Sequence, residues 1–296
     1  MTVAVIGIGS NSLRMLIAEI CHAQVVRVLR DRKGLRVFAA LDENKNITPE
    51  MMKNAAQSIL QFVQKAQELQ VDKIHLFATS AVRDAKNQGE FCVYIEEGTG
   101  LSLEICSGEM EAMLSFLGAG LGDSAGVIDI GGGSTEIVLG HRRKITYSKS
   151  LQMGAVRFYR EYPIFDAESA QLVVNHAKNL LIPEKKHIDS AGTMTWTGVG
   201  GTFTAAAALS QNISWMDKER IHGYVITHNT LLKSMERIAP MCIEERNALP
   251  SIHPQRADIL VHGMAILLAC MEVFRISELT ASEYGNLEGY LKYHYT

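Results

Sequence analysis

A strand–glycine turn–strand element that occurs twice constrains this chain more than any other feature. The segments "VIGIGSNSLRMLI" (residues 5–17) and "VIDIGGGSTEIVL" (residues 127–139) align without a gap, with Gly9 on Gly131 and Ser12 on Ser134. Both segments start as short β-branched apolar runs, which predict buried strands. Strands and helical patterns alternate elsewhere, which favours the α/β class. We therefore predict two related α/β domains, residues 1–123 and 124–296, joined near "LGDSAG" and flanking a cleft. The last helix of the second domain is a candidate to pack back on the first.

Composition narrows the class of protein further. Of 296 residues, 47% are hydrophobic and 21% charged, with a formal net charge of −3, so no broad basic footprint for nucleic acid is indicated. Five scattered cysteines without a C-x-x-C pair, and a start that does not resemble a signal peptide, predict a cytoplasmic protein. The apolar stretch "VHGMAILLACMEVF" is too short for a membrane span, so we expect a core helix and no membrane partner.

Local patterns place several further elements. Residues 48–70 predict a long helix that Thr48 caps and Pro49 begins. The segments "QVVRVLRD" (24–31) and "GLRVFAAL" (34–41) alternate and predict two strands separated by "RKG". The proline-punctuated "PSIHPQRAD" (250–258) predicts a loop.

Three glycine turns with hydroxyl residues predict phosphate binding. Glycine lets the backbone approach a ligand closely, and clustered N–H groups form an anion-binding hollow. The third turn also enters a predicted helix, whose N-terminus favours an anion. The predicted phosphate-binding residues are Gly9, Ser10, Asn11, Ser12, Gly131, Gly132, Gly133, Ser134, Thr135, Gly200, Gly201 and Thr202. No Walker A loop or G-x-G-x-x-G dinucleotide motif is present.

Two carboxylates flank the second turn, Asp129 before it and Glu136 after it. Hard oxygen ligands beside phosphate suit Mg²⁺, which predicts a metal or water-positioning role. The alternative is that Asp129 only stabilises the turn through its backbone.

Seven blocks together resemble the Ppx/GppA family of exopolyphosphatases and guanosine pentaphosphate phosphohydrolases. They are "GSNSLRML", "ATSAVRDA", "SGEMEAMLSFLGAG", "DIGGGSTEIVLG", "SLQMGAVRF", "GVGGTFTAAAAL" and "RADILVHGMAILLACME". The resemblance implies two ribonuclease-H-like domains of the actin, hexokinase and Hsp70-like superfamily. It further implies that Glu111 is the general base for the attacking water and that Arg83 lies near the phosphate. From the residues alone, the pattern favours Glu111 as a solvated residue on a helix face, and a surface salt bridge with Asp84 is the equal alternative for Arg83.

The chain departs from the family pattern at two positions. Gly7 stands where the family usually has an aspartate, and Met110 replaces the first glutamate of a pair. The first departure weakens the implied Mg²⁺ site, and the second leaves Glu111 with one less acidic neighbour.

The implied activity is release of terminal phosphate from inorganic polyphosphate or guanosine pentaphosphate, by a homodimer. A non-catalytic sensor of polyphosphate or alarmone, and an ATP-using member of the superfamily, are the alternatives. Seven basic residues are candidates to line a trench that binds the anionic substrate: Arg14, Arg83, Arg142, Arg143, Lys144, Lys149 and Arg157. The segment "HRRK" is alternatively a solvated hairpin tip.

Overall fold

A computed structural model describes residues 1–22, 24–119, 124–141, 144–192 and 194–296. The chain forms two compact units. Unit 1 comprises Met1–Gly118 together with Asn286–Thr296, and unit 2 comprises Ala119–Gly285. The predicted junction at 121–126 lies partly outside the described residues. Among those residues, no helix combines the length and apolar character that a bilayer crossing requires.

Unit 1 contains a five-stranded sheet in the order β3-β2-β1-β4-β5. Its elements are β1 (Thr2–Ile8), β2 (Ser12–Cys21), β3 (Gln24–Gly34), α1 (Pro49–Glu68), β4 (Lys73–Ala78), α2 (Ser80–Arg83), α3 (Gln88–Thr99), β5 (Glu104–Ile105) and α4 (Gly108–Gly118). Strand β1 pairs antiparallel with β2 and parallel with β4. Its residues from Val3 onward are buried, as expected for a strand covered on both faces. The predicted cap of α1 is confirmed, since Thr48 Oγ1 accepts a hydrogen bond from the Met51 amide.

The predicted strand at "GLRVFAAL" is wrong. Strand β3 runs through "RKG" to Gly34, and the next residues turn, with Arg36 at a left-handed φ of 55°. The amides of Leu35 and Arg36 donate to the Asn11 carbonyl, and the Phe38 amide donates to Ser10. These bonds tie the segment to the first glycine turn and take the amides that a strand ladder would need.

Unit 2 contains a six-stranded sheet in the order β10-β11-β9-β6-β7-β8. Its elements are β6 (Ser124–Ile130), β7 (Thr135–His141), β8 (Lys144–Leu151), α5 (Ala155–Glu161), α6 (Ala167–Leu181), α7 (Lys185–Asp189), β9 (Thr195–Val199), α8 (Gly201–Gln211), α9 (Lys218–Ile221), β10 (Val225–Thr227), α10 (His228–Ile238), α11 (Ile243–Asn247), α12 (Leu260–Phe274) and β11 (Glu278–Ser282). The predicted loop at 250–258 holds a 3-10 turn, Pro254–Arg256. Strands β6, β9 and β11 are parallel, so their carboxyl ends share one edge of the sheet.

The predicted core helix is confirmed as α12, where all residues except Glu272 are buried. It packs with α6 and α8 in the main hydrophobic core of unit 2. The last helix, α13 (Asn286–Tyr295), returns to unit 1, where Leu287, Tyr290 and Leu291 join the hydrophobic cluster of β1, β2 and α4.

Candidate active site

The first glycine turn joins β1 to β2 in unit 1. The Gly9 amide donates to the Ser12 carbonyl at 3.0 Å, which closes the turn. Ser10, Asn11 and Ser12 are all buried. The Ser10 hydroxyl lies 2.8 Å from the Ser80 hydroxyl, so it already has a partner within the fold. Of the predicted phosphate ligands, Ser10 is therefore held in a structural hydrogen bond.

Packing explains the glycine at position 7. A Cβ on Gly7 would lie 3.0 Å from a ring carbon of Phe77 and 3.1 Å from a methyl of Leu287. Both neighbours belong to the core of unit 1. An aspartate at this position would place a carboxylate against apolar side chains, where an ionised group is costly.

The second glycine turn, between β6 and β7, is held by the start of α5. The amides of Ala155 and Val156 donate to the carbonyls of Gly131 and Gly132 at 3.0 and 2.9 Å. The Thr135 hydroxyl donates to the Met153 carbonyl. The Ser134 hydroxyl is completely buried and has no hydrogen-bond partner among the described residues.

The third glycine turn lies beside the second. Gly200 has φ of 100°, a conformation that favours glycine, and its α-carbon faces Asp129: an added Cβ would lie 3.2 Å from Asp129 Oδ1. Helix α8 starts at Gly201, so its N-terminal dipole favours an anion here. Thr202, in the first turn of α8, is buried. The structure thus brings two of the three predicted phosphate turns together at the carboxyl ends of β6 and β9.

Asp129 and Glu136 stand directly opposite each other on β6 and β7. Both are buried, at 8% and 0% exposure, and Ser150 donates to Glu136 Oε1 at 2.7 Å. Opposed like charges destabilise a strand pair unless a counter-charge joins them. No cluster of three or more His, Cys, Asp or Glu occurs in the described ranges, so protein carboxylates supply at most two ligands here. Mg²⁺ is typically bound by one or two carboxylates, with phosphate oxygens and water molecules as the remaining ligands.

Arg256 is a site residue that the sequence patterns did not single out. This residue ends the 3-10 turn in the predicted loop. Its guanidinium packs directly against the backbone of Gly201, because a Cβ added to Gly201 would lie 1.8 Å from Arg256 Cζ. A cation therefore contacts the third glycine turn at the start of α8. The signal in the sequence was an arginine before the long apolar run, inside the block "RADILVHGMAILLACME".

Glu111 and Arg83 meet in unit 1. Arg83 Nη1 donates to Glu111 Oε2 at 3.0 Å and to the Cys106 carbonyl at 2.9 Å. Arg83 Nε also lies 3.8 Å from Asp84 Oδ1, so the guanidinium stands between two carboxylates. Glu111 is only 5% exposed. It is therefore a fixed, paired carboxylate rather than a solvated residue on a helix face.

The neighbouring thiol is inert. Burial, and after it the carboxylates of Glu104 and Glu111, raise the pKa of Cys106 to about 12. Since the thiolate is the reactive form, Cys106 stays protonated at neutral pH and supplies no nucleophile.

A buried histidine packs against the end of α5 and precedes the glycine that faces the third turn. His262 Nε2 donates to the Tyr162 carbonyl at 2.8 Å, directly after the end of α5. The next residue, Gly263, faces Thr202 of the third turn, with 2.4 Å between an added Cβ and the Thr202 hydroxyl. Burial lowers the pKa of His262 to about 4, so the ring is neutral at physiological pH.

The basic residues predicted to line a trench have different surroundings in the structure. Arg142 and Arg143 lie outside the described residues, and Lys144 is exposed. Lys149 lies 3.8 Å from Glu184, and Arg157 donates to the Gly133 carbonyl at 2.7 Å. In unit 1, Arg14 donates to Asn286 at 3.0 Å.

Comparison with known proteins identifies the family and the fold of this chain. The model of the Ppx/GppA phosphatase family matches residues 16–294. The chain is 31% identical over 309 residues to exopolyphosphatase 2 of Mycobacterium tuberculosis, covering 97% of this chain and 96% of that protein. The Ppx/GppA enzyme of Aquifex aeolicus superposes with a TM-score of 0.84 at 28% identity, covering 99% of both chains. An exopolyphosphatase from Cytophaga hutchinsonii shares the fold, with a TM-score of 0.89 at 22% identity over 98% of this chain and 96% of that one.

The two α/β units thus have the two-domain, actin-like fold of these solved structures. The match of the family model extends over nearly the whole chain, and it includes Arg83, Glu111, Asp129 and all of the second and third glycine turns. The chain belongs to the Ppx/GppA phosphatase family.

Proposed function

We propose that this chain, a phosphoanhydride hydrolase by its family, releases the terminal phosphate of inorganic polyphosphate or guanosine pentaphosphate. A water molecule attacks the terminal phosphorus while Glu111 orients it and takes its proton. The observation that carries this proposal is the buried Glu111 carboxylate, held at 3.0 Å by the Arg83 guanidinium. Hydrolysis of a phosphoanhydride needs such a positioned base, because water alone is a weak nucleophile.

The second and third glycine turns provide the phosphate-binding groups of unit 2. Three groups here can donate hydrogen bonds to phosphate and carry no negative charge. They are the Ser134 hydroxyl, which has no partner among the described residues, the N-terminus of α8 at Gly201, and the Arg256 guanidinium. Such donors stabilise charge on phosphoryl oxygens and cost no reorganisation during the reaction. We assign Gly131, Gly132, Gly133, Thr135, Gly200 and Thr202 to the same role, and Gly9, Asn11 and Ser12 to the corresponding turn of unit 1.

Asp129 and Glu136 would hold a divalent cation, for which Mg²⁺ fits the oxygen donors best. The bound ion would neutralise charge on the phosphate oxygens. Asp129 also faces Gly200, so the carboxylate pair belongs to the same region as the third phosphate turn.

The Mycobacterium tuberculosis relative is named an exopolyphosphatase, which favours polyphosphate as the substrate. The scattered cysteines support action in the cytoplasm. A homodimer rests on the family resemblance alone.

The test is phosphate release from polyphosphates of graded length, guanosine pentaphosphate and ATP, with and without Mg²⁺. In Glu111→Gln we expect a loss of about 10²–10⁴-fold, the usual contribution of a general base. Glu109→Gln is the matched control, since Glu109 is an exposed residue of the same helix. Full activity in Glu111→Gln removes Glu111 from the mechanism. Tight calorimetric binding without phosphate release identifies a sensor, and ATP turnover without polyphosphate identifies an ATP-using enzyme.

A further inference from the structure

We propose that Ser80 is a positioning residue for the reaction. Its hydroxyl turns the proton of the Ser10 hydroxyl toward bound phosphate, and it ties the first glycine turn to the helix that ends at Arg83. Through Arg83, phosphate at this turn fixes the orientation of Glu111. This inference rests on the proposed function, because it concerns the phosphate-binding turn and the general base assigned there.

Two hydrogen bonds hold the first glycine turn against the start of α2. The Thr79 amide donates to the Ile8 carbonyl at 3.1 Å, directly before Gly9. The hydroxyls of Ser10 and Ser80 lie 2.8 Å apart, and both residues are buried, at 4% and 2% exposure. A movement of the turn on phosphate binding is therefore transmitted to the start of α2.

Helix α2 connects this contact to the general base. The helix is a single turn, Ser80–Arg83, and the Arg83 amide closes it by donating to the Thr79 carbonyl at 3.0 Å. The side chain of Arg83 donates from Nη1 to Glu111 Oε2 at 3.0 Å. A continuous path of hydrogen bonds and one helical turn thus leads from the Ser10 hydroxyl to the carboxylate of Glu111.

The first glycine turn has room for an anion. Apart from the chain neighbours of Gly9, only the Ser12 carbonyl oxygen, at 3.3 Å, lies within 4 Å of a Cβ added to Gly9 among the described residues. The second turn has the same geometry, with the Ser134 carbonyl oxygen 3.1 Å from a Cβ added to Gly131. The hollow beside this glycine therefore leaves space for a phosphate oxygen in both turns.

The direction of the bond between Ser10 and Ser80 decides what Ser10 offers to an anion, because a hydroxyl carries one proton. When Ser80 donates to Ser10, the proton of Ser10 is left for a phosphate oxygen. When Ser10 donates to Ser80, only lone pairs of Ser10 remain, and they repel an anion. Bound phosphate selects the first arrangement, in which the two bonds run in the same direction and strengthen each other.

The corresponding position in unit 2 is held without a hydroxyl. Gly132 aligns with Ser10, and its carbonyl accepts hydrogen bonds from the amides of Val156 and Arg157 at 2.9 and 3.0 Å. These bonds involve the backbone only, so they do not orient a donor toward phosphate. The paired hydroxyls are therefore a feature of the turn whose neighbouring helix ends at Arg83.

Kinetics test the role of Ser80. Ser80→Ala should lower kcat for polyphosphate hydrolysis about fivefold, which is the effect of losing one hydrogen bond. Ser58→Ala is the matched control, since it removes another buried serine hydroxyl from unit 1 and should leave kcat unchanged. An equal loss of kcat in both variants, or no loss in Ser80→Ala, overturns the proposal.

A double-mutant cycle distinguishes positioning from a merely structural role. If Ser80 acts through Arg83, Ser80→Ala combined with Arg83→Lys should lose little more kcat than Arg83→Lys alone. Ser10→Ala should match Ser80→Ala, because the two hydroxyls act as one pair. Independent effects multiply instead, so a combined loss equal to the product of the two single losses contradicts coupling through Arg83.

Binding separates this inference from the proposed function. In calorimetry with Mg²⁺, the natural chain should bind pyrophosphate about fivefold more tightly than Ser80→Ala. If polyphosphate is hydrolysed and Ser80→Ala matches the natural chain in kcat and in binding, this inference is wrong and the proposed function stands. If the natural chain hydrolyses neither polyphosphate nor guanosine pentaphosphate, the proposed function fails, and the pyrophosphate titration still decides whether Ser80 supports phosphate binding. Absence of pyrophosphate binding to the natural chain overturns this inference.

Discussion

At the scale of single residues, Arg83 shows how the fold selects the partner of a side chain. The sequence predicts that Arg83 binds phosphate or pairs with Asp84 at the surface. In the structure, Arg83 donates to Glu111 and to the Cys106 carbonyl, and Asp84 lies at 3.8 Å. A guanidinium offers several donors in a fixed fork, so it can hold a carboxylate in one orientation. We therefore interpret Arg83 as a residue that positions Glu111.

We expect Arg83→Lys to lower kcat for phosphate release about tenfold and to leave KM nearly unchanged. Arg83 Nη1 donates both to Glu111 and to the Cys106 carbonyl. The ammonium of lysine lacks the planar geometry that fixes these two bonds, so we expect Glu111 to lose its orientation. Steady-state kinetics with polyphosphate measure both constants. A raised KM with an unchanged kcat would instead identify Arg83 as a ligand of the bound phosphate.

The pKa of His262 predicts how stability depends on pH. The folded-state pKa is about 4 against 6.5 for an unperturbed histidine, so the unfolded chain binds the proton more readily. Above pH 6.5 this difference costs nothing. As the pH falls from about 6.5 to 4, the free energy of unfolding should decrease by up to ~3 kcal/mol from this residue.

Urea unfolding at a series of pH values measures the effect. His262→Gln is the comparison, because its amide can still donate to the Tyr162 carbonyl but does not titrate in this range. The difference in stability between the two chains should change between pH 6.5 and 4. A difference that is constant over that range contradicts the prediction.

At the scale of elements, the last helix, α13, packs against α4, the helix that contains Glu111. Helix α13 packs on α4 with no room between the two backbones: a Cβ on Gly289 would lie 1.7 Å from the Leu114 carbonyl oxygen. Lys292 Nζ donates to the Leu117 carbonyl at 2.9 Å and so binds the end of α4. The C-terminal residues thereby fix the position of the helix on which Glu111 lies.

We expect Gly289→Ala to destabilise the protein by about 1–3 kcal/mol, because the added methyl forces the two helices apart. Phosphate release should fall as well, since α4 moves with Glu111. Gly98→Ala is the control, for its Cβ would meet Ala56 at an ordinary 3.6 Å, and alanine stabilises a helix interior by about 0.5–1 kcal/mol. Thermal unfolding and activity together test this, and equal behaviour of the two variants would contradict it.

At the scale of the whole molecule, ligand binding and stability are linked. A ligand that binds only the folded chain stabilises it by RT ln(1 + [L]/Kd), so the free energy of unfolding keeps rising with the logarithm of ligand concentration. Asp129 and Glu136 stand opposite each other, and like charges at such positions repel. A divalent cation bound by both carboxylates would offset part of this repulsion, so we expect the linkage to depend on Mg²⁺.

We expect Mg²⁺ with pyrophosphate to stabilise the full chain by about 2.7 kcal/mol at a hundred times the dissociation constant. Asp129→Asn should lose the increment due to Mg²⁺, because a neutral amide binds the cation more weakly than a carboxylate does. Asp189→Asn is the control: it removes an exposed carboxylate whose ion pair with Lys185 contributes little. Thermal shift measurements suffice, and a full Mg²⁺ increment in Asp129→Asn would exclude this residue as a ligand.

The sequence by itself determined the α/β class, the repeated strand–turn–strand element, the cap at Thr48 and the core helix α12. Each depends on residues close together in the chain, whose periodicity, capping and turn preferences act locally. The family resemblance likewise pointed to Glu111. The alternation of polar and apolar residues at 34–41 predicted a strand wrongly. That pattern is local, whereas the conformation there is determined by backbone hydrogen bonds to Asn11 and Ser10, which are distant in the chain.

Only the tertiary structure decided which site residues have partners already. Ser10 is bonded to Ser80, 70 residues away, whereas the equally buried Ser134 has no partner among the described residues. Arg256 reaches Gly201 across 55 positions, and Arg83 reaches Glu111 across 28. The physical reason is that burial strips polar groups of water, and the fold then determines which distant group takes the place of that water.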